Sequence, residues 1–141
     1  MTNSIGTILT GAQCVAVFLQ PTRGIFDTDT FVINFKKGDS FLSFHSFSMI
    51  RLLRSNKIEY TVLDHYLNHA GGSWRKGQKK LSTLTYPKLK QAVIGSTVTE
   101  VALLEYGDVI VRFDNSVELQ FLVDSASVKD NVEVHRLLIF E

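Results

Sequence analysis

Apolar and polar residues alternate with a period of two over residues 108–121. Val109, Val111 and Phe113 interleave with Ile110 and Arg112. After the turn residues Asp114, Asn115 and Ser116, Val117, Leu119 and Phe121 interleave with Glu118 and Gln120. Side chains on a strand point to opposite faces in turn, so this pattern predicts a hairpin with one buried face. Residues 30–44 repeat it. Phe31, Ile33 and Phe35 lead into Lys36-Lys37-Gly38-Asp39, and Leu42 and Phe44 follow.

Each predicted hairpin sits inside a longer matching unit. Gly11 precedes Cys14, Val17 and Leu19, and Gly95 precedes Val98, Val101 and Leu103, at offsets of three, six and eight in both cases. Each unit ends on Arg-Leu-Leu, at 51–53 and 136–138. The interval between copies is nearly the same at the glycine and at the tripeptide, and shorter at Phe35/Phe113. That drift is what loops of different length around a constant strand pattern produce. An internal duplication is expected over 11–53 and 95–138, within a single domain spanning 1–141, the copies joined by a helical or loop insert at 54–94.

The rest of the chain is read around these units. Residues 4–10 form a short lead-in and 12–19 a strand, and 46–55 read as a further strand with a helix as the alternative. Residues 57–69 are ambiguous: Ile58, Val62, His65, Tyr66 and His69 recur at helical spacing, whereas Tyr60-Thr61-Val62 suits a strand. A helix over about 61–69, closed by Gly71-Gly72, is the preferred reading. Pro87, Leu89, Ala92 and Val93 read as a short helix over 86–93 ended by Gly95. A last strand over 132–140 is placed at or near a sheet edge or next to the boundary between the copies; an edge would leave unpaired backbone groups open to a partner. The expected fold class is α+β: a largely antiparallel sheet of about eight strands, built from two similar β units, with one or two short helices.

Composition narrows this picture. A chain of 141 residues, 45% apolar and with ten phenylalanines, can bury about two-thirds of its unfolded surface and is not a disordered tail. The lone Cys14 has no partner for an internal disulfide and reads as a reduced core residue of a cytosolic protein. No apolar run approaches a membrane helix, and the N-terminal residues lack the basic and apolar regions of a secretory signal. Net charge is +1, but residues 1–90 are basic and 91–141 acidic. Such asymmetry marks either a bipolar surface or two halves interleaved by folding.

The candidate chemistry is sparse. Asp64-His65-x-x-x-His69 would place both histidines on one helical face, but it lacks the glutamate of the zinc-protease motif and has no further ligands, so no metal is expected. Gly72 and Gly77 have phosphate-loop spacing, yet Gln78 stands where lysine belongs, so no nucleotide or other cofactor is expected. Trp74 among Arg75, Lys76, Lys79 and Lys80 is a candidate binding loop. It suits base stacking with phosphate contacts, a protein interface, or a solvated loop with Trp74 turned to the core. His45 and His135 read as polar-face positions, and Arg51 and Arg136 as equivalent structural residues. With no nucleophile elbow, the chain is expected not to be an enzyme.

The pattern Gly-x-x-Val-x-x-Val-x-Leu, then Asp-x-Ile-x-x-Phe, a turn, Leu-x-Phe and a late Arg-Leu is carried best by residues 95–121 and 134–137. It resembles the small bacterial immunity proteins that accompany polymorphic and contact-dependent growth inhibition toxins. His135 stands where that pattern has a tryptophan. The resemblance implies a cytoplasmic antitoxin that neutralises one cognate toxin domain, usually a nuclease, by protein–protein contact and without catalytic residues. An acidic surface would complement a nuclease's basic face, and the second unit supplies Glu105, Asp108, Asp114, Glu118, Asp124 and Asp130 as toxin-binding candidates. The competing reading is a single-stranded nucleic-acid-binding module that uses the Trp74 loop. A self-associating scaffold is a third.

Overall fold

A computed structural model describes residues 2–20, 30–46, 49–61, 89–123 and 134–140. Within them, β1 (Gln13–Gln20), β2 (Thr30–Lys37), β3 (Ser40–Ser46), β4 (Met49–Arg54), β5 (Lys57–Thr61), β6 (Val98–Leu103), β7 (Val109–Phe113), β8 (Val117–Leu122) and β9 (His135–Phe140) pair antiparallel throughout. One helix, α1 (Thr2–Leu9), precedes them, and residues 89–93 are helical. The chain is therefore mostly antiparallel β with two short helical pieces, in keeping with α+β.

The single sheet expected from the sequence is corrected to two. Their orders are β1-β2-β3-β9 and β5-β4-β8-β7-β6. Both contain a three-strand meander, β1-β2-β3 in one and β6-β7-β8 in the other. The strand beside each meander comes from the other half of the chain: β4 pairs with β8, and β9 with β3. Among the described residues the backbones of the two meanders bond to each other only around the start of β1 and β6, where the bridge Gln13↔Thr97 lies. Beyond that point both strands bulge, β1 between Cys14 and Ala16 and β6 between Val98 and Glu100. A bulge bends a strand and raises its twist, so the sheets part and fold over one core.

The hydrogen bonds at this junction come in pairs, one from the segment around Gly11 and one from the segment around Gly95. Gly11 N donates to Val98 O (2.8 Å), and Gly95 N to Cys14 O (2.8 Å). Val98 N donates to Ala12 O (2.8 Å), and Cys14 N to Ser96 O (2.9 Å). Ahead of them Ala12 N donates to Leu9 O and Ser96 N to Val93 O, closing α1 and the 89–93 turn in the same way. Both glycines hold positive φ, +87° and +89°.

Alternation sets the inner faces. Val109, Val111, Phe113, Val117, Leu119 and Phe121 are buried from one sheet, and Phe31, Ile33, Phe35, Leu42 and Phe44 from the other, in one core. Residues 4–10, expected as a lead-in, belong mostly to α1. Leu9 is fully buried and Ile5 and Ile8 pack against the core. Lys37 Nζ donates to the end carbonyls of α1 at Thr7 (3.1 Å) and Ile8 (3.0 Å), satisfying groups a helix end leaves open. Lys57–Thr61 is strand β5. It turns back from β4 through Ser55 and Asn56, both at positive φ as a tight hairpin turn requires. The helix preferred over about 61–69 lies, beyond Thr61, outside the described residues.

Candidate functional site

The two outer sheet faces differ in chemistry. On the five-stranded sheet, polar side chains link strand to strand. Arg51 Nε donates to Gln120 Oε1 (3.0 Å), Gln120 Nε2 to Glu118 Oε2 (2.6 Å), Arg112 Nε to Glu118 Oε1 (2.9 Å) and Arg112 to Glu100 Oε2 (2.8 Å). Two cations and two carboxylates thus satisfy one another across four strands, leaving a face with little net charge to attract a partner.

The outer face of the four-stranded sheet is apolar and aromatic. Phe41 (50% exposed) lies directly opposite Phe140 (56%) across the β3–β9 pair. Val15, the bulged residue of β1, joins them around a depression of about 210 Å³ with Asn34, Leu42 and Ser43. Phe18 (40% exposed) stands at the other end of β1. Lys36 Nζ sits 5.8 Å from the Phe41 ring centre. Between the aromatic ends, Ser43 Oγ donates to Asn34 Oδ1 (2.7 Å) and lies 2.9 Å from His45 Nε2. With its proton given to Asn34, Ser43 receives one from His45. The histidine then acts as a donor, not as a base poised on a nucleophile. Burial and the neighbouring Arg136 charge both lower the His45 pKa. Among the described residues this face carries Lys36, His45 and Arg136 and no carboxylate.

Among the described residues this sheet ends on β1 at one side and on β9 at the other, and the one neighbour of β9 there is β3. Exposed side chains in a row beside an open backbone edge are what a partner strand or an apolar surface engages.

The four predicted acidic residues that are described do not gather in one place. Glu105 is exposed in the β6–β7 turn. Asp108, in the same region, is 8% exposed, and its carboxylate accepts from Val123 N (2.8 Å). Asp114 lies at the opposite end of β7, accepting from Thr97 N (3.2 Å). Glu118 is bound into the ladder with Arg112. Asp124 and Asp130 lie outside the described residues, as do Trp74, Arg75, Lys76, Lys79, Lys80 and the His65/His69 pair. Among the described residues no three His, Cys, Asp or Glu side chains gather as metal ligands, and no helix is long and apolar enough to cross a membrane. Cys14 is buried, and its thiol is pushed up to about 12 by desolvation.

His45 lies on the outer face of β3, away from the core, but His135 does not follow the sequence reading. It faces inward from β9, stacked on Phe44 with ring centres 5.7 Å apart and planes at 21°. Its Nε2 lies 2.8 Å from the Gly107 carbonyl and must carry the proton to donate there, so Nδ1 accepts from Ser46 Oγ (3.0 Å). Burial lowers its pKa, against opposing effects of the Gly107 bond and Asp108. The folded protein holds a neutral imidazole where an unfolded chain, at its ordinary 6.5, is already protonated. Stability is therefore full above that value and falls as pH drops through it toward the folded pKa. Urea midpoints compared at about pH 7.5 and pH 5.5 should fall with acidity, and His135→Gln should flatten that dependence more than His45→Gln. Equal slopes in all three proteins would mean His135 is not the group responsible.

Taken together, the described residues define a two-sheet, mostly antiparallel fold with one outer face of mutually bonded polar side chains, another that exposes Phe18 on β1 and the Phe41–Phe140 pair on β3 and β9, and a strand, β9, with no second neighbour among those residues. Comparison with protein-family models, curated proteins and solved structures finds no match to this chain.

Proposed function

We propose that this chain is a cytoplasmic, non-catalytic protein-binding module of the immunity class, which neutralises a cognate bacterial toxin domain, a nuclease by preference, through direct contact. The observation that carries the reading is the outer face of the four-stranded sheet, where Phe41 and Phe140 are exposed as a pair beside the outer edge of β9, which has no second neighbour among the described residues, and Phe18 is exposed across the sheet on β1. Large apolar side chains clustered on a surface and rimmed by polar groups suit a protein interface, where aromatic residues contribute most of the binding energy. Because the described acids are dispersed or engaged in internal bonds, the contact proposed is apolar and obstructive. It is not an acidic mimic of nucleic acid.

A second reading uses the same face. Three exposed rings with Lys36 and Arg136, and no carboxylate among the described residues of this face, also suit stacking of single-stranded bases with phosphate contacts, independently of the Trp74 loop.

One experiment separates the two. The chain and its Phe41→Asp/Phe140→Asp variant are used as bait in host lysate with and without nuclease digestion. The expected result is one stoichiometric protein, retained after digestion and lost with the variant, whose toxicity or nuclease activity is blocked by adding the purified chain. Recovery only of species that disappear on digestion would transfer the reading to nucleic acid. A partner bound equally by the variant would remove this face from the function.

A further inference from the structure

The two sheets are alike except at one position. The row Arg51↔Gln120, Leu52↔Leu119 on the β4–β8 pair corresponds to Arg136↔His45, Leu137↔Phe44 on the β9–β3 pair. One constant shift along the chain carries β4 onto β9, Arg51 to Arg136 and Leu52 to Leu137, and a second carries β8 onto β3. β4 and β9 therefore hold the same place beside their meanders. β4 has a further antiparallel strand on its outer edge, β5, whereas β9 has none among the described residues. Burial records the difference. Leu52, with Tyr60 opposite it on β5, is fully buried, and Tyr60 itself is 1% exposed. Leu137, the counterpart of Leu52, is only half-buried, and Ile139 and Phe140 beyond it are exposed.

We propose that the outer edge of β9 is a strand-addition site that takes an extended segment of the partner protein, running antiparallel to β9. The position it fills is the one β5 fills in the other sheet. The inference rests on the reading that the chain works by protein contact, and it names that contact. Edge strands bind extended segments through main-chain hydrogen bonds, with alternate side chains supplying specificity. The molecule displays its own template for the occupant. The pairs Arg51↔Thr61, Leu52↔Tyr60, Leu53↔Ile58 and Arg54↔Lys57 transfer, by the shift that carries β4 onto β9, to Arg136, Leu137, Leu138 and Ile139. The incoming strand thus carries an aromatic residue opposite Leu137, where it can enter the core margin as Tyr60 does. It carries an apolar, β-branched residue opposite Leu138. Arg136 is the one Lys or Arg on β9, so a carboxylate near its end of the incoming strand is favoured over a cation.

The test is a register-specific cross-link. A synthetic peptide with the sequence of residues 55–62, with cysteine at the Lys57 position, is mixed with full-length Ile139→Cys under mild oxidation. Arg136→Cys serves as the mismatched register. Both positions are surface residues, and the native Cys14 is buried with its thiol pushed up to about 12, so it contributes little background. The expected result is a disulfide yield several-fold higher at Ile139→Cys than at Arg136→Cys, with the preference reversed when the peptide cysteine is moved to the Thr61 position. Equal yields in both registers, or none, would overturn the strand-addition site. A protein-only disulfide dimer of Ile139→Cys that excludes the peptide would overturn it in favour of a second copy at that edge. Partner capture by the native chain that persists despite a failed cross-link would leave the protein-contact reading standing while removing this edge from it.

Discussion

Replacing Phe121 with alanine should lower the unfolding free energy by about 3–5 kcal/mol, the range for truncating a buried aromatic residue. Phe121 is fully buried on β8 and is the ring on which the opposite sheet converges. Phe44 from β3 meets it edge-on at 4.9 Å between ring centres, Phe31 from β2 at 5.7 Å, and His135 from β9 at 6.4 Å. Three strands of one sheet thus rest on one side chain of the other. Alanine removes the ring and leaves a space that neither backbone can close without shifting a sheet, so the cavity cost adds to the lost transfer energy. A domain of this size is stable by only about 5–15 kcal/mol in total. The variant should therefore show a much lower urea midpoint with an unchanged slope. Phe41→Ala, on the exposed outer face, should stay within about 0.5 kcal/mol of the native protein. If Phe121→Ala cost no more than Phe41→Ala, the two inner faces would not share one core.

What the sequence made legible follows from what alternation encodes. A period of two tells which side chains of a strand turn inward. It placed Val109, Val111, Phe113, Val117, Leu119 and Phe121 correctly, and likewise Phe31, Ile33, Phe35, Leu42 and Phe44, although Val32 between them is buried as well. It is silent about which strand lies alongside. The exchange of β4 and β9 between the meanders is a non-local choice, and with it went the difference between one sheet and two. Helix α1 was obscured for another reason. Thr-Asn-Ser-Ile-Gly-Thr-Ile-Leu has poor intrinsic helix propensity, and burial of Ile5, Ile8 and Leu9 outweighs it. At β5 the helical spacing competed with the β-forming Tyr60-Thr61 pair, and burial of Tyr60 beside Leu52 decides for the strand.

The surface was legible only in part. The acidic bias of the second half is real in sequence, but folding sends Asp114 to one end of β7 and Glu105 and Asp108 to the other, and couples Glu118 to Arg112. Charge along a chain carries no such information. The aromatic face left one usable trace. Phe41 is out of phase with Leu42 and Phe44, so the same alternation that buries those two turns Phe41 outward. Phe140 left none, because Leu-Leu-Ile-Phe is apolar at every position and its phase cannot be read. Phe18 lies in a similar run, and the bulge after Cys14 resets the phase of β1 before reaching it.

The paired glycines give the second large effect, and a stricter one, because it predicts an equality. Gly11 and Gly95 sit at φ +87° and +89°, where a side chain is strained whatever room surrounds it. Room is not the issue: a Cβ on Gly95 would meet nothing within 4 Å, and one on Gly11 only the Lys37 side chain at 3.9 Å. The cost of alanine at either site is thus almost wholly backbone strain, about 1–3 kcal/mol. The two values should agree, since each glycine makes the equivalent bond to the strand that the other precedes, Gly11 to Val98 and Gly95 to Cys14. The double variant should lose about 2–6 kcal/mol if the sites act separately. They are not separate, however, because Gly11 bonds to the strand that Gly95 leads and Gly95 to the strand that Gly11 leads. Relaxing one glycine loosens the crossing that strains the other, so the double variant should cost less than the sum of the singles. A double-mutant cycle read by urea denaturation measures that shortfall. Strict additivity would show the two junction bonds to be independent. A single-site cost that differs several-fold between Gly11→Ala and Gly95→Ala would show that the matched geometry does not carry matched energy.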